Sequence, residues 1–366
     1  PLAAPSPLGL PDMVFVRPTL LLVFDRLKDE LFLVAPIFPD AAMDSVAATR
    51  AWDAAVERIE AASARLAGPL PASAPVPDAL PDGAARPATS PARYADMVAA
   101  AKEYILAGDI FQVVLAQRFT LDFPLPALSL YRALRRINPS PFLYFLDMPG
   151  FALVGSSPEI LVRLRDGDVT IRPIAGTRPR GRDAAEDADN RASLLADPKE
   201  LAEHLMLLDL GRHDTARVSV PGTVKVTDKF FVEFYSHVMH IVSNVQGRLA
   251  PGLDGIDALL GGFPAGTVSG APKVRAMQVI AELEAEQRGA YAGGVGYFAP
   301  DGSMDSCIVL RTAVVKDGQM HVQAGAGIVA DSVAAYEQLE CEAKAGALMA
   351  AAREALARAG EAGFGQ

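Results

Sequence analysis

The chain has 366 residues, 51% hydrophobic and 21% charged, which is enough to bury a large core in one large domain or two ordinary ones. A net charge of -10 with no basic tract argues against a nucleic-acid partner, and no apolar run approaches the about 18 residues of a membrane span. The only two cysteines, Cys307 and Cys341, have no metal-ligand spacing; with no visible signal peptide, this is the inventory of a reduced, cytoplasmic protein.

The opening PLAAPSPLGLPDM lacks an initiator Met and reads as a connector, so the chain is expected to be a fragment or a processed product. Val14 to Phe24 and Leu31 to Ile37 read as a hairpin, followed by a helix from Asp44 to Leu66. Residues 68–91 are rich in Pro, Ala, Gly and Ser, as in a linker or mobile surface loop. Helices are expected over Tyr94 to Ala107, Leu128 to Ile137, Pro198 to Leu208 and Ser332 to Arg358. Strands are expected at Phe111 to Phe119, Phe142 to Met148, Ala152 to Ser156, Ile160 to Leu164, Val169 to Ile171, Phe231 to Val245, Gly293 to Phe298, Ser306 to Lys316 and Met320 to Ala326. Many strands joined by hairpins, with helices interspersed irregularly, predict an α+β fold with large antiparallel sheets in a sandwich and flanking helices. The expected division is a remnant of an N-terminal region at 1–67, a linker at 68–92 and a catalytic domain at 93–360.

Phe263 to Glu284 is the most unusual stretch. Gly261, Gly262, Gly266 and Gly270 allow positive φ and close approach of a ligand to the backbone. Ser269 stands where a helix N-cap belongs and Pro272 just inside the helix. Such a loop suits an anion, although an ordinary strand-to-helix turn explains it as well. Among the acids, Glu159 follows a Ser-Ser-Pro turn, Glu203 lies among leucines beside His204, and Glu337 and Glu340 share a helix face with Lys344. Each reads as a solvated glutamate; the sharper reading pairs Glu203 with Glu340 around Mg²⁺, with Glu337 as a further possibility. Arg311 lies inside an apolar run, so it needs either a buried acid or a substrate carboxylate. Arg178, Arg180 and Arg182 follow in a glycine-bounded loop. His237 and His240 fall on opposite faces of a strand, which argues against a shared metal and leaves His240 as a core imidazole or an acid/base group.

Taken together, GDIFQVVLAQRF (108–119), NPSPFLYF (138–145), GSSPE (155–159), PIAGTRPRG (173–181), EHLMLLDLGRHD (203–214), HIVSNVQGRL (240–249), FPAGTVSGAPK (263–273), YAGGVGYF (291–298), CIVLRTAVV (307–315), AGAGIVADS (325–332) and the Glu340 to Lys344 spacing resemble, in order, the chorismate-utilising enzymes, and within them the large subunit of anthranilate synthase. This resemblance implies a lyase with the chorismate-binding fold. It would aminate chorismate with ammonia and then eliminate pyruvate to leave anthranilate, the first step of tryptophan biosynthesis. It further implies Mg²⁺ on residues matching Glu203 and Glu340, and a pocket of Ala175, Thr177, Tyr291, Arg311, Gly266, Gly325 and Gly327. Glu159 would be the general acid and His240 would serve pyruvate elimination, with Gln112, Thr267 and Lys344 completing the catalytic set.

In this family a lysine at the position of Gln112 activates water, and one at the position of Ala175 attacks covalently; having neither is the anthranilate pattern. Aminodeoxychorismate, isochorismate and salicylate synthases are the alternatives, as is an inactive tryptophan-responsive fragment. Asn138, Pro139, Ser140, Pro141, Phe142 and Leu143 match half of a feedback pocket. His213 stands where the family carries Asn, which puts the loop after the Glu203 helix in question. Neither cysteine lies in a nucleophile elbow, so a separate glutamine amidotransferase subunit, and a hetero-oligomer, are expected.

Overall fold

The computed structural model describes residues 5–39, 43–70, 76–77, 79–235 and 238–361. The chain forms two compact units, Pro11–Ser73 and a larger one comprising Pro1–Leu10 and Ala74–Gly365.

In the smaller unit the hairpin is shorter than its apolar runs, pairing Leu21–Asp25 with Glu30–Val34. Asp25 closes its turn by accepting the N–H groups of Leu27 and Lys28. The helix Ser45–Leu66 begins at Asp44, whose carboxylate caps the Ala47 N–H.

The larger unit holds two seven-stranded sheets, and every pairing is antiparallel. The first sheet runs, in spatial order, Gly270–Ala271, Gln112–Asp122, Gln319–Ile328, Thr312–Lys316, Phe151–Ser157 and Phe142–Met148. Arg86–Pro87, within the stretch read as a linker, adds two residues beside Gln112–Asp122. The second sheet runs Lys225–Phe234, Val238–Arg248, Asp168–Ile171, Ile160–Arg165, Met304–Ile308 and Gly294–Phe298, with Ile174–Pro179 also paired to Val238–Arg248.

Alternation along the strands sorts core from cleft. Val113, Leu115, Phe119 and Leu121, with Met320, Val322, Ala324, Ala326 and Ile328, pack in one core with the helices Pro91–Leu106, Ala127–Ile137 and Ala334–Ala357. The intervening Gln112, Val114, Gly325 and Gly327 therefore face the other way. A second core joins Leu161, Val162, Leu164, Val169, Met304 and Ile308 to Ala258 of the helix Gly255–Gly262.

Several expectations change. Ile174–Pro179, read as part of a glycine-bounded loop, is a strand paired with Val238–Arg248 that carries Arg178. The Pro198 helix runs on to Ala216, with another, Ala184–Ala196, before it; polar faces hide both extents from an apolar-period reading. The stretch from Phe231 breaks into Lys225–Phe234 and Val238–Arg248. Ser306 to Lys316 is not one strand: Met304–Ile308 lies in the second sheet, Thr312–Lys316 in the first, and residues 309–311 cross between them. The mirror-image crossover, from Phe151–Ser157 to Ile160–Arg165, passes through Pro158 and Glu159.

Candidate active site

The two crossovers run side by side. The Ser156 N–H donates to the Arg311 carbonyl at 3.1 Å and the Ile308 N–H to the Glu159 carbonyl at 3.1 Å. Glu159 and Arg311 thus reach the cleft from the seam where the chain passes from sheet to sheet. Arg311 holds φ 47°, an uncommon left-handed conformation for a residue with a side chain. Among the described residues its guanidinium has no ion-pair partner, so the structural pair with a core acid is not formed. Burial pushes it down, and Glu159 and Tyr235 pull it back.

Glu159 is 7% exposed, and burial raises its carboxyl to about 8. The Thr267 hydroxyl, Lys344, Arg311 and the Ile174 N–H oppose that shift without cancelling it. Thr267 lies beside the carboxyl without closing a hydrogen bond of regular geometry, so its buried oxygen has no partner. At neutral pH this glutamate carries a proton.

His240 shows the opposite effect. Burial, then Arg311, push it down to about 4, against the Gly176 carbonyl, which favours the charged form. Its register partner across the strands is Thr177, whose Oγ1 lies 3.0 Å from Nδ1; the Gly176 carbonyl lies 3.2 Å from the same nitrogen. A carbonyl only accepts, so Nδ1 carries the hydrogen and Nε2 is left with a free lone pair. Gly176 turns its carbonyl this way at φ 82°, which accounts for the glycine. Tyr235 packs edge-on against the imidazole at 5.3 Å and donates to Glu233, which pairs with Arg172. His237 lies outside the described residues.

The opposite wall comes from the first sheet. Gly325 and Gly327 present bare backbone: a Cβ on Gly325 would stand 2.9 Å from the Tyr291 hydroxyl, and one on Gly327 2.3 Å from Gln112 Nε2. Gln112 is buried, and its side-chain carbonyl oxygen has no partner. Burial raises the Tyr291 phenol well beyond its usual range, partly offset by Arg288. Lys344 donates to the Gly325 carbonyl at 2.9 Å and pairs with Glu340 at 2.7 Å. Ala175 sits half-buried opposite Ile241, at the bulge next to His240.

Glu203 and Glu340 come from two helices, Pro198–Ala216 and Ala334–Ala357. Burial raises the Glu203 carboxyl, and the charges of Glu200 and Glu340 raise it further, while Lys344 and Lys199 lower it. Glu337 is buried a turn before Glu340 and is likewise raised, first by burial. Among the described residues no group of three His, Cys, Asp or Glu is arranged to hold a metal; two carboxylates that repel one another are still a donor set for a cation completed by water and substrate oxygens.

The Gly-rich stretch does different work from that expected. The helix starts at Lys273 after Pro272, which has no side-chain cap, and Ser269 Oγ donates to the Ala265 carbonyl instead of capping. Of the four glycines only Gly270 has positive φ, at 136°. Gly266 is needed for space, since a Cβ there would stand 1.9 Å from Leu210 Cδ2. The start of this helix is held by an ion pair: Lys273 Nζ reaches both oxygens of buried Asp214 at 2.8 Å. Asp214 thus ties the Glu203 helix to the loop bearing Thr267. His213, one residue earlier, is 72% exposed and leaves that tie intact.

Arg178 pairs with Asp197 and Glu200, Arg180 with Asp187 and Arg182 with Glu186, so all three are spent within the protein. Asn138, Pro139, Ser140 and Pro141 lead into the strand begun by Phe142 and Leu143, whose partners are Ser157 and Ser156, next to the Glu159 crossover. Tyr235 and the Asp214–Lys273 pair escape sequence reasoning, because no periodicity or local motif links them to the cleft.

A cleft at the seam of two antiparallel sheets, lined by a protonated glutamate, a neutral imidazole, an unpaired arginine and an acidic pair, suits a small anionic substrate handled by acid–base chemistry. The profile of the chorismate binding enzymes matches residues 1–350, and the chain belongs to that family. It is 54% identical over 361 residues to anthranilate synthase component 1 of Cereibacter sphaeroides, covering 99% of this chain and 72% of the relative. Its identity to the protein of the same name from Thermus thermophilus is 50%, over 96% and 73%. The crystal structure of anthranilate synthase component I from Streptococcus pneumoniae superposes with a TM-score of 0.84 at 39% identity, covering 95% of this chain and 76% of that one. The menaquinone-specific isochorismate synthase of Escherichia coli gives 0.69 at 26%, over 78% and 65%.

Proposed function

We propose that this chain is the chorismate-converting component of an anthranilate synthase. Chorismate and ammonia give anthranilate, pyruvate and water. Glu159, holding its proton at neutral pH, gives it to the departing ring hydroxyl, which leaves as water while the ammonia nitrogen bonds to the ring. Gln112 offers its unpartnered carbonyl oxygen to an ammonia N–H; no lysine is needed at Gln112 or Ala175, because ammonia is already a nucleophile. The proton that the new ammonium group sheds restores Glu159; His240, neutral and with a free Nε2, then takes the ring proton as the enolpyruvyl C–O bond breaks and the ring becomes aromatic, and the released enolate gains that proton at its methylene carbon to become pyruvate. Arg311, with Tyr291 and the Gly325–Gly327 backbone, receives the enolpyruvyl carboxylate; Thr177, Thr267 and Lys344 line the same pocket. The observation that carries this reading is the opposed protonation of Glu159 and His240 beside an unpaired Arg311.

Glu203 and Glu340 would hold Mg²⁺, with Glu337 as a neighbouring acid. Bound there, the ion would supply positive charge for a substrate carboxylate and would offset the repulsion between the acids. Ammonia would come from glutamine through a separate amidotransferase subunit, in a hetero-oligomer, and the product would serve tryptophan synthesis. The test mixes the chain with chorismate, ammonium and Mg²⁺ at mildly alkaline pH. Anthranilate fluorescence that vanishes with EDTA, and again in Glu203→Ala and Glu340→Ala, is the expected result. A different chorismate product would move the chain to another branch of the family, and no turnover with no chorismate-dependent thermal shift would defeat the reading.

A further inference from the structure

Three pocket groups, Gln112, Thr267 and Tyr291, come from three segments that do not adjoin in the chain, and one buried ion pair joins all three. Glu284 caps the end of the helix Lys273–Leu283, its N–H bonded to the Ile280 carbonyl. Its carboxylate takes a two-pronged contact from Arg288, Nε to Oε2 at 2.8 Å and Nη2 to Oε1 at 2.5 Å, and Oε1 also accepts the Ala116 N–H at 2.8 Å. Two further Arg288 donors go to main-chain carbonyls: Nη1 to Val268 at 2.7 Å and Nη2 to Val114 at 2.7 Å. Glu284 and Arg288 side chains are 6% and 15% exposed.

The backbone groups engaged are those that set the pocket. Val268 follows Thr267. Val114 and Ala116 flank the chain beyond Gln112, and they stand opposite Gly327 and Gly325 in register. The Val114 N–H is already bonded to the Ser269 carbonyl, so Arg288 completes a seam between the Gly-rich loop and the Gln112 strand. Tyr291 joins through its ring, 5.5 Å from the guanidinium carbon, and through its N–H, bonded to the Arg288 carbonyl at 3.2 Å. A planar fork with five donors can serve a carboxylate, two carbonyls and an aromatic face at once; an ammonium cannot.

We infer that Glu284 and Arg288 are a positioning pair for the substrate pocket, acting on chorismate affinity through Tyr291 and the loop at Thr267. The inference rests on the proposed chorismate chemistry. It is tested with the wild-type chain, Arg288→Lys, Tyr291→Phe and the double variant, by steady-state turnover of chorismate with ammonium and Mg²⁺ alongside thermal melts. Arg288→Lys is expected to raise KM for chorismate about 10-fold while kcat stays within about 3-fold. The Tyr291→Phe effect on KM is expected to shrink to less than about 2-fold in the Arg288→Lys background, because the two act as one unit. Should Arg288→Lys fail to fold, Glu284→Gln, which keeps the shape and weakens only the pair, takes its place in the same cycle, with the same coupling expected. Additive effects of either variant with Tyr291→Phe, or a loss of stability with unchanged KM, overturn the proposal. A wild-type chain that neither turns over nor binds chorismate overturns the functional reading, and the proposal with it.

Discussion

At Glu159, burial weakens the fold and creates an acid. The carboxyl titrates at about 8, against an ordinary 4.5. A raised carboxyl binds its proton more tightly in the folded chain, so its contribution to stability is full below about 4.5 and is lost as pH rises through about 8. Glu159→Gln, which never ionises, should therefore be more stable than wild type at pH 8, by roughly 4 kcal/mol, and its melting temperature should vary less with pH. The same variant should lose turnover by roughly 100-fold or more. Thermal melts across pH and single-turnover assays check both; a variant that is active, or less stable at pH 8, would contradict the account. For wild type, kcat/KM for chorismate at fixed free ammonia should fall above about pH 8 as the Glu159 proton is lost. His240, already neutral above about 4, should add no limb near the ordinary histidine range. A profile whose only break lay near 6.5 would speak against that assignment.

Among the elements, the site depends on how helices and loops are tied to the two sheets. Lys273 and Asp214, at 12% and 9% side-chain exposure, join the Glu203 helix to the Thr267 loop. Lys273→Met strands a buried carboxylate and should cost about 3–5 kcal/mol in urea unfolding, whereas adding Asp214→Asn should recover part of that loss. Gly270 has φ 136°, and a Cβ there would lie 2.2 Å from the Gln112 carbonyl oxygen. Since the clash is with backbone, Gly270→Ala should lower stability by more than about 3 kcal/mol or prevent folding. Gly327→Ala meets only the movable Gln112 amide, so it should fold and weaken chorismate binding instead. Most strands and most helices were legible as period-two and period-3.6 patterns. The break at residues 309–311 was not, because both strands flanking it are buried and apolar while lying in different sheets.

For the whole molecule, the question is where nitrogen comes from. Cys307 and Cys341 are both buried; burial pushes the Cys307 thiol up to about 12 and raises Cys341 as well. Neither supplies a thiolate for glutamine hydrolysis. The chain alone should therefore make anthranilate from ammonium and none from glutamine, and iodoacetamide should leave the ammonium rate unchanged; glutamine-dependent product from the isolated chain would contradict this. Sequence by itself determined the antiparallel α+β class and the set of motif residues that carries the family, because strand alternation, helix period and local motifs are written in neighbouring positions. The acidity of Glu159, the neutrality and tautomer of His240, the missing acid partner of Arg311, the exposure of His213 and the tie between Asp214 and Lys273 were decided only in the tertiary structure. Each depends on desolvation, or on contacts between residues far apart in the chain, and neither quantity exists until the two sheets, their crossovers and the helices around them are in place.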